Sequence, residues 1–164
     1  ADLALRTIRP ARGPLVMQHL ARAPWVPVAS PELANRSRLF TEWNALPWVG
    51  WGLELEGLHV AKWLAARPGV EPVLRTNAFA VQLMAVQQGL GAALIPEPYV
   101  AIHGLERLQP ARRLLKDFKT LPADDLWLVT HEALRHVPRV DAVWSVLLEQ
   151  FSVDVRTVVR RARR

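Results

Sequence analysis

Several groupings of side chains in this sequence come close to known chemistry, and spacing decides each of them. His131-Glu132-Ala133-Leu134-Arg135-His136 has the residue types of a zinc-protease helix, with one residue too many between the histidines. At about 100° per residue the two rings would sit ~140° apart around a helix, so they cannot share a metal ion. Gly89-Leu90-Gly91-Ala92-Ala93 carries half of a dinucleotide-binding glycine pattern. It follows a helix-like segment and precedes a strand-like one, the wrong order for setting a phosphate on a helix N-terminus. A left-handed cap turning into a strand suits it better. Ser30 lacks the flanking glycines of a hydrolase elbow. Asp124-Asp125 and the Glu54/Glu56 pair read as exposed carboxylates on loops or strand faces. Asn35-Arg36-Ser37 is a glycosylation sequon, meaningful only on a secretory route. The absence of cysteine excludes disulfides, thiolate metal sites and a Cys nucleophile. No catalytic set, metal site or cofactor site assembles, and the chain reads as a binding protein rather than an enzyme.

Binding chemistry is better supplied. Ser30-Pro31 has the signature of a helix start, a hydroxyl at the N-cap followed by a ring at the first helical position. Thr76 or Asn77 caps a second helix that runs from Ala78 to Gln88. Helix N-termini present unpaired N–H groups and attract carboxylates. Simple capping explains the same residues, and the two roles can coexist. Trp51 stands between Gly50 and Gly52 at a strand end, placed either to stack on a planar ligand or to fill the core.

The elements that must position these residues alternate between strand and helix, which points to an α/β architecture. Leu3-Ala4-Leu5, Leu15 to Leu20 and Trp25 to Ala29 read as strands. Pro27 cannot donate to a ladder and should lie at an edge or crossover. Pro47 to Trp51 is a strand, Leu58 to Arg67 an amphipathic helix, and Val70 to Arg75 another strand. The helix from Ala78 is apolar nearly all round, as a helix buried between layers would be. Ala92 to Ile95 reads as a buried strand, with further strands at Leu105 to Leu108 and Asp125 to Thr130. Val140, Val143, Trp144, Leu147, Leu148, Phe151, Val155, Val158 and Val159 follow helical spacing without a break.

The 164 residues suit one domain, and 51% apolar with 22% charged residues is an ordinary globular composition. No apolar run reaches the ~18 residues of a membrane span. Only Lys62, Lys116 and Lys119 among the 21 basic residues are lysines, so arginine supplies the other 18 and most of the net charge of +6. These arginines are dispersed except in the tail, Arg156 to Arg164, which reads as a solvated cationic helix end. The opening Ala1-Asp2-Leu3-Ala4-Leu5-Arg6 is neither a Met start nor a signal peptide, and is expected to begin in mid-fold.

Four stretches, in this order, resemble the LysR substrate-binding domain of bacterial transcription regulators. They are Asp2 to Arg6, Val26-Pro27-Val28-Ala29-Ser30-Pro31-Glu32-Leu33-Ala34, Arg75 through Pro96, and Leu126 to Val129 with the terminal helix after Pro138. The resemblance implies a type 2 periplasmic-binding-protein fold, two lobes joined by two crossover strands, with the first lobe incomplete. Residues 1–152 would form the effector-binding domain, lobe I from 1–25 and 131–152 and lobe II from 26–124, and 153–164 a basic extension. It further implies an anionic or aromatic small-molecule effector in the cleft between the lobes, touching Arg6, Thr7, Ser30, Pro31, Trp51, Thr76, Asn77 and Ala78. For Arg6 an exposed or ion-paired role is the alternative. DNA would be reached through a helix-turn-helix domain absent from this chain, in a cytoplasmic homo-oligomer without membrane contact. The alternative on the same fold is a solute-binding protein of a transport system.

Overall fold

In the computed structural model, residues 1–37 and 40–161 are described, with side chains described through Phe151. In chain order the elements are β1 (Leu3–Arg6), β2 (Leu15–Ala29), α1 (Pro31–Arg36), β3 (Trp48–Trp51), α2 (His59–Ala65), β4 (Pro72–Thr76), α3 (Phe79–Gln87), β5 (Ala93–Pro96), α4 (Pro98–Ile102), β6 (Glu106–Arg107), α5 (Leu115–Phe118), β7 (Ala123–His131) and α6 (Pro138–Arg161). The α/β architecture expected from the sequence is present. The chain divides into two units, Ala1–Ala23 with Asp124–Arg164, and Pro24–Ala123. It passes between them twice, inside β2 and at the start of β7.

The first unit is built on β7. β1 pairs antiparallel with it, Leu3 opposite Thr130 and Arg6 opposite Trp127, and the opening part of β2 lies along its other side. Helix α6 lays Trp144, Leu147, Leu148 and Phe151 over Leu20 and Leu128. Trp144 is buried, and the Arg135 guanidinium covers its ring at 4.5 Å. The expected stripe is narrower than its spacing suggested, because Val143 is 48% exposed. Val143 lies on the exposed side of α6, about 100° around the helix from Trp144. Asp125 lies on a face of β7, as expected, with its side chain 38% exposed, and His19 Nε2 lies 2.9 Å from its carboxylate. The expected basic extension falls where side chains are not described.

The second unit is a layered sheet. β3 and β4 run parallel, with Trp51 opposite Thr76. Ala92 N donates to Pro47 O and Val49 N to Ala92 O, both at 2.8 Å, and these bonds bring β5 beside β3. β5 in turn pairs antiparallel with the later part of β2. Neighbouring residues of a strand face opposite ways. Trp48 accordingly joins Trp25, Phe40, Trp43, Val60 and Leu64 on one face, while Val49 joins Val28, Leu83, Val86 and Ile95 on the other.

Two local expectations are corrected here. Leu15 to Leu20 and Trp25 to Ala29 are one continuous strand rather than two. Pro27 is tolerated in it because its carbonyl accepts from Leu108 N at 2.9 Å, facing away from β5, so the missing N–H falls beside the two-residue β6. Helix α3 is not apolar all round in its packing: Val81 and Met84 are exposed, and a glutamine, Gln82, is buried among Leu83 and Val86. Among the described residues no helix is long and apolar enough to cross a membrane.

Candidate functional site

The C-terminal ends of the parallel pair β3 and β4 lie together at Trp51 and Thr76, where open α/β sheets take ligands. Beyond Thr76 the chain turns into α3. Thr76 Oγ1 accepts from Ala78 N at 3.1 Å, which fixes the turn. Its cap residue proves to be Ala78, not Thr76 or Asn77, and no side chain caps the helix. The cause is local, since the Thr76 hydroxyl is already bound to the N–H one residue before the helix begins. Asn77 is exposed at this turn. The first N–H groups of α3 therefore have no side-chain acceptor, and they point where a carboxylate or other anion is stabilised.

An aromatic wall stands beside this helix start. The Trp51 and Phe79 rings stack at 6.3 Å with 14° between planes, and Tyr99 meets Phe79 edge-on at 5.0 Å. Arg75 Nη1 reaches the Trp51 carbonyl at 3.4 Å, so a guanidinium borders the same group. Of the two roles the sequence left open for Trp51, packing is the one seen, with one ring face on Phe79 and the indole nitrogen buried.

Ser30 and Pro31 are placed elsewhere. Ser30 is the N-cap of α1, its Oγ accepting from Leu33 N at 3.3 Å with Pro31 at the first turn, as the sequence indicated. Ser30 is also buried, and a Cβ at Gly89 would lie 3.4 Å from its Oγ. Gly89 follows the C-terminus of α3, whereas Asn77 precedes its N-terminus. A nine-residue helix is ~14 Å long, so Ser30 and Asn77 stand at opposite ends of it and do not converge on one ligand. That convergence is corrected: the direction of β2 carries its end away from the ends of β3 and β4, because β2 runs antiparallel to β5. Arg6 ends β1 and Thr7 follows it, both exposed, in the first unit. His131 Nδ1 accepts from Ala133 N at 3.2 Å and acts as a turn cap.

Reading the sequence missed a cavity of about 660 Å³ in the second unit, lined by β3, β4, α2 and Gln82. Its side-chain walls are small where α2 faces the sheet, at Gly50, Ala61 and Ala65. The Gln82 amide donates to Val49 O at 3.2 Å, while its Oε1 and the Trp51 Nε1 are buried without a partner.

The fold is the type 2 periplasmic-binding-protein-like fold of LysR regulatory domains. The LysR substrate binding domain model matches residues 1–152, and the chain belongs to that family. It is a family of effector-binding regulatory domains and not of enzymes. Among solved structures, the regulatory domain of CrgA, a LysR-type regulator from Neisseria meningitidis, is similar with a TM-score of 0.67 at 16% identity, covering 92% of this chain and 75% of that one. A putative transcriptional regulator from Vibrio parahaemolyticus gives 0.66 at 18% identity, with 95% and 74% covered. The regulatory domain of the AphB variant C227S from Vibrio vulnificus gives 0.60 at 16% identity, with 90% and 78% covered. The chain spans 52% of a longer CrgA structure. No curated protein matches the chain in sequence.

Proposed function

We propose that this domain senses a small anionic or aromatic effector for a LysR-type transcription regulator, and that the response reaches DNA through a domain outside this chain. The observation that carries the reading is the start of α3, nine residues long, uncapped by any side chain and flanked by the stacked Trp51 and Phe79. The N–H groups and Asn77 suit a carboxylate, and the aromatic wall suits a planar body. A cytoplasmic location and a homo-oligomeric parent go with this role.

The test uses the full-length regulator, titrated calorimetrically with a panel of small carboxylates and aromatic acids. Losing one charge-assisted hydrogen bond removes ~1.5–3 kcal/mol, so Asn77→Ala should weaken the best binder by roughly 10- to 100-fold. Wild-type affinity in Asn77→Ala would refute the assignment.

A further inference from the structure

We propose that residues 112–119 of the second unit form a phosphate-binding stripe, fitted to the backbone of duplex DNA. The segment comprises the turn Arg112–Leu114, the helix α5 and its capping residue Lys119. At about 100° per residue, Arg112, Lys116 and Lys119 fall within about 60° of arc on one side of it. Leu114 is buried on the opposite side, where Phe118 packs against Phe40 and Trp43. All three cations are exposed. The segment is anchored from beneath. Asp117 accepts from the Trp43 indole at 2.7 Å and pairs with Arg67 at 2.8 Å, and Thr120 Oγ1 accepts from the Trp63 indole at 3.2 Å.

The charges on this surface are unmet. Asp117 is engaged with Trp43 and Arg67, and Glu42, which also meets the segment, pairs with Arg113 at 2.7 Å. Among the described residues the side chains of Arg112, Lys116 and Lys119 make no ion pair or hydrogen bond. Like charges three and four residues apart on a helix repel, and a polyanion laid along them relieves that repulsion. The dimensions fit a phosphate backbone. Seven residues of helix rise ~10 Å and one DNA strand advances ~3.4 Å per phosphate along the duplex axis, so the stripe spans about three phosphates. Arginine and lysine both donate to phosphate oxygens. A membrane surface would need an apolar face beside the cations, whereas here Leu114 and Phe118 face inward and Leu115 alone is exposed.

The inference draws on the proposed regulator role in one respect: a DNA-tethered parent keeps duplex DNA at high effective concentration. The test titrates the whole chain into a fluorescent duplex of about 25 base pairs and arbitrary sequence, read by anisotropy between about 50 and 200 mM salt. One variant combines Arg112→Gln, Lys116→Gln and Lys119→Gln. A second combines Arg9→Gln, Arg12→Gln and Arg22→Gln, removing the same charge from exposed positions of the first unit. The stripe variant should bind at least about tenfold more weakly at the low-salt end, and the slope of log K against log salt should fall by about 2–3, because each phosphate contributes ~0.9. The first-unit variant should change the slope by less than about 1. Both replace exposed side chains and should melt with the parent. Equal losses in the two variants, or no duplex binding by the parent at low salt, overturns the proposal. Parallel titrations use polyglutamate and phosphatidylglycerol vesicles. Tighter binding to either than to the duplex, lost in the stripe variant, gives the surface to an acidic polypeptide or a membrane and also overturns it. Asn77→Ala should leave the duplex titration unchanged, so failure of the effector assignment and failure of this one give different results.

Discussion

Replacing Gly91 with alanine probes the junction that holds β3 against β5, and its effect follows from distances. A Cβ at Gly91 would lie 2.7 Å from Pro47 O, 3.0 Å from Pro47 C and 3.4 Å from Trp48 N. All three are backbone atoms, so no side chain can swing aside. The same Pro47 carbonyl accepts the Ala92 N–H at 2.8 Å, and the next bond, Val49 N to Ala92 O, is also 2.8 Å. Moving the strands apart to seat the methyl group stretches both bonds. Overpacking of this kind costs ~1–3 kcal/mol, and losing one buried backbone hydrogen bond adds ~0.5–1.5, together about 2–4 kcal/mol. For a domain of this size each kcal/mol moves Tm by ~2–4 °C, so Gly91→Ala should melt roughly 4–16 °C below the parent. Gly57→Ala is the control. A Cβ there meets nothing within 4 Å, and its stability should change by no more than about 1 kcal/mol. Calorimetry of the two variants side by side is the assay. If Gly91→Ala melted within about 2 °C of the parent, the junction would be softer than its geometry states and this reasoning would fail.

Ser30→Ala removes the cap of α1 and should cost ~0.5–2 kcal/mol in urea unfolding while leaving effector affinity unchanged. A loss of affinity comparable to that of Asn77→Ala would contradict the placement of Ser30 at the far end of α3. In the first unit, Trp144→Ala should destabilise by ~3–5 kcal/mol, whereas Val143→Ser on the exposed side of α6 should stay within ~0.5 kcal/mol. Equal effects measured by denaturant titration would show that both positions are covered.

The local signals in the sequence were sound wherever short-range chemistry decides the outcome. Ser30-Pro31 starts a helix because a hydroxyl and a proline fit its first turn whatever surrounds them. Gly89, at φ +74°, ends α3 because only glycine enters the left-handed region freely. The order of such segments was enough to indicate an α/β chain and its family.

Which ends meet was a different matter. Two helix starts looked equivalent in the sequence, yet strand direction puts Ser30 at one end of α3 and Asn77 at the other. Strand direction is set by pairing between residues as distant as Val28 and Ala93, and no local spacing encodes it. The bond of Gln82 was equally out of reach, since its amide donates to the carbonyl of Val49, 33 positions away. Ala61 and Ala65 are unremarkable in the sequence, and they border a cavity only because a crossover helix lies over a parallel strand pair. The sequence determined the elements, their caps and the family they form, because those rest on interactions within a few residues. The packing decided which polar groups share a surface, because contacts between distant residues exist only once the chain has folded.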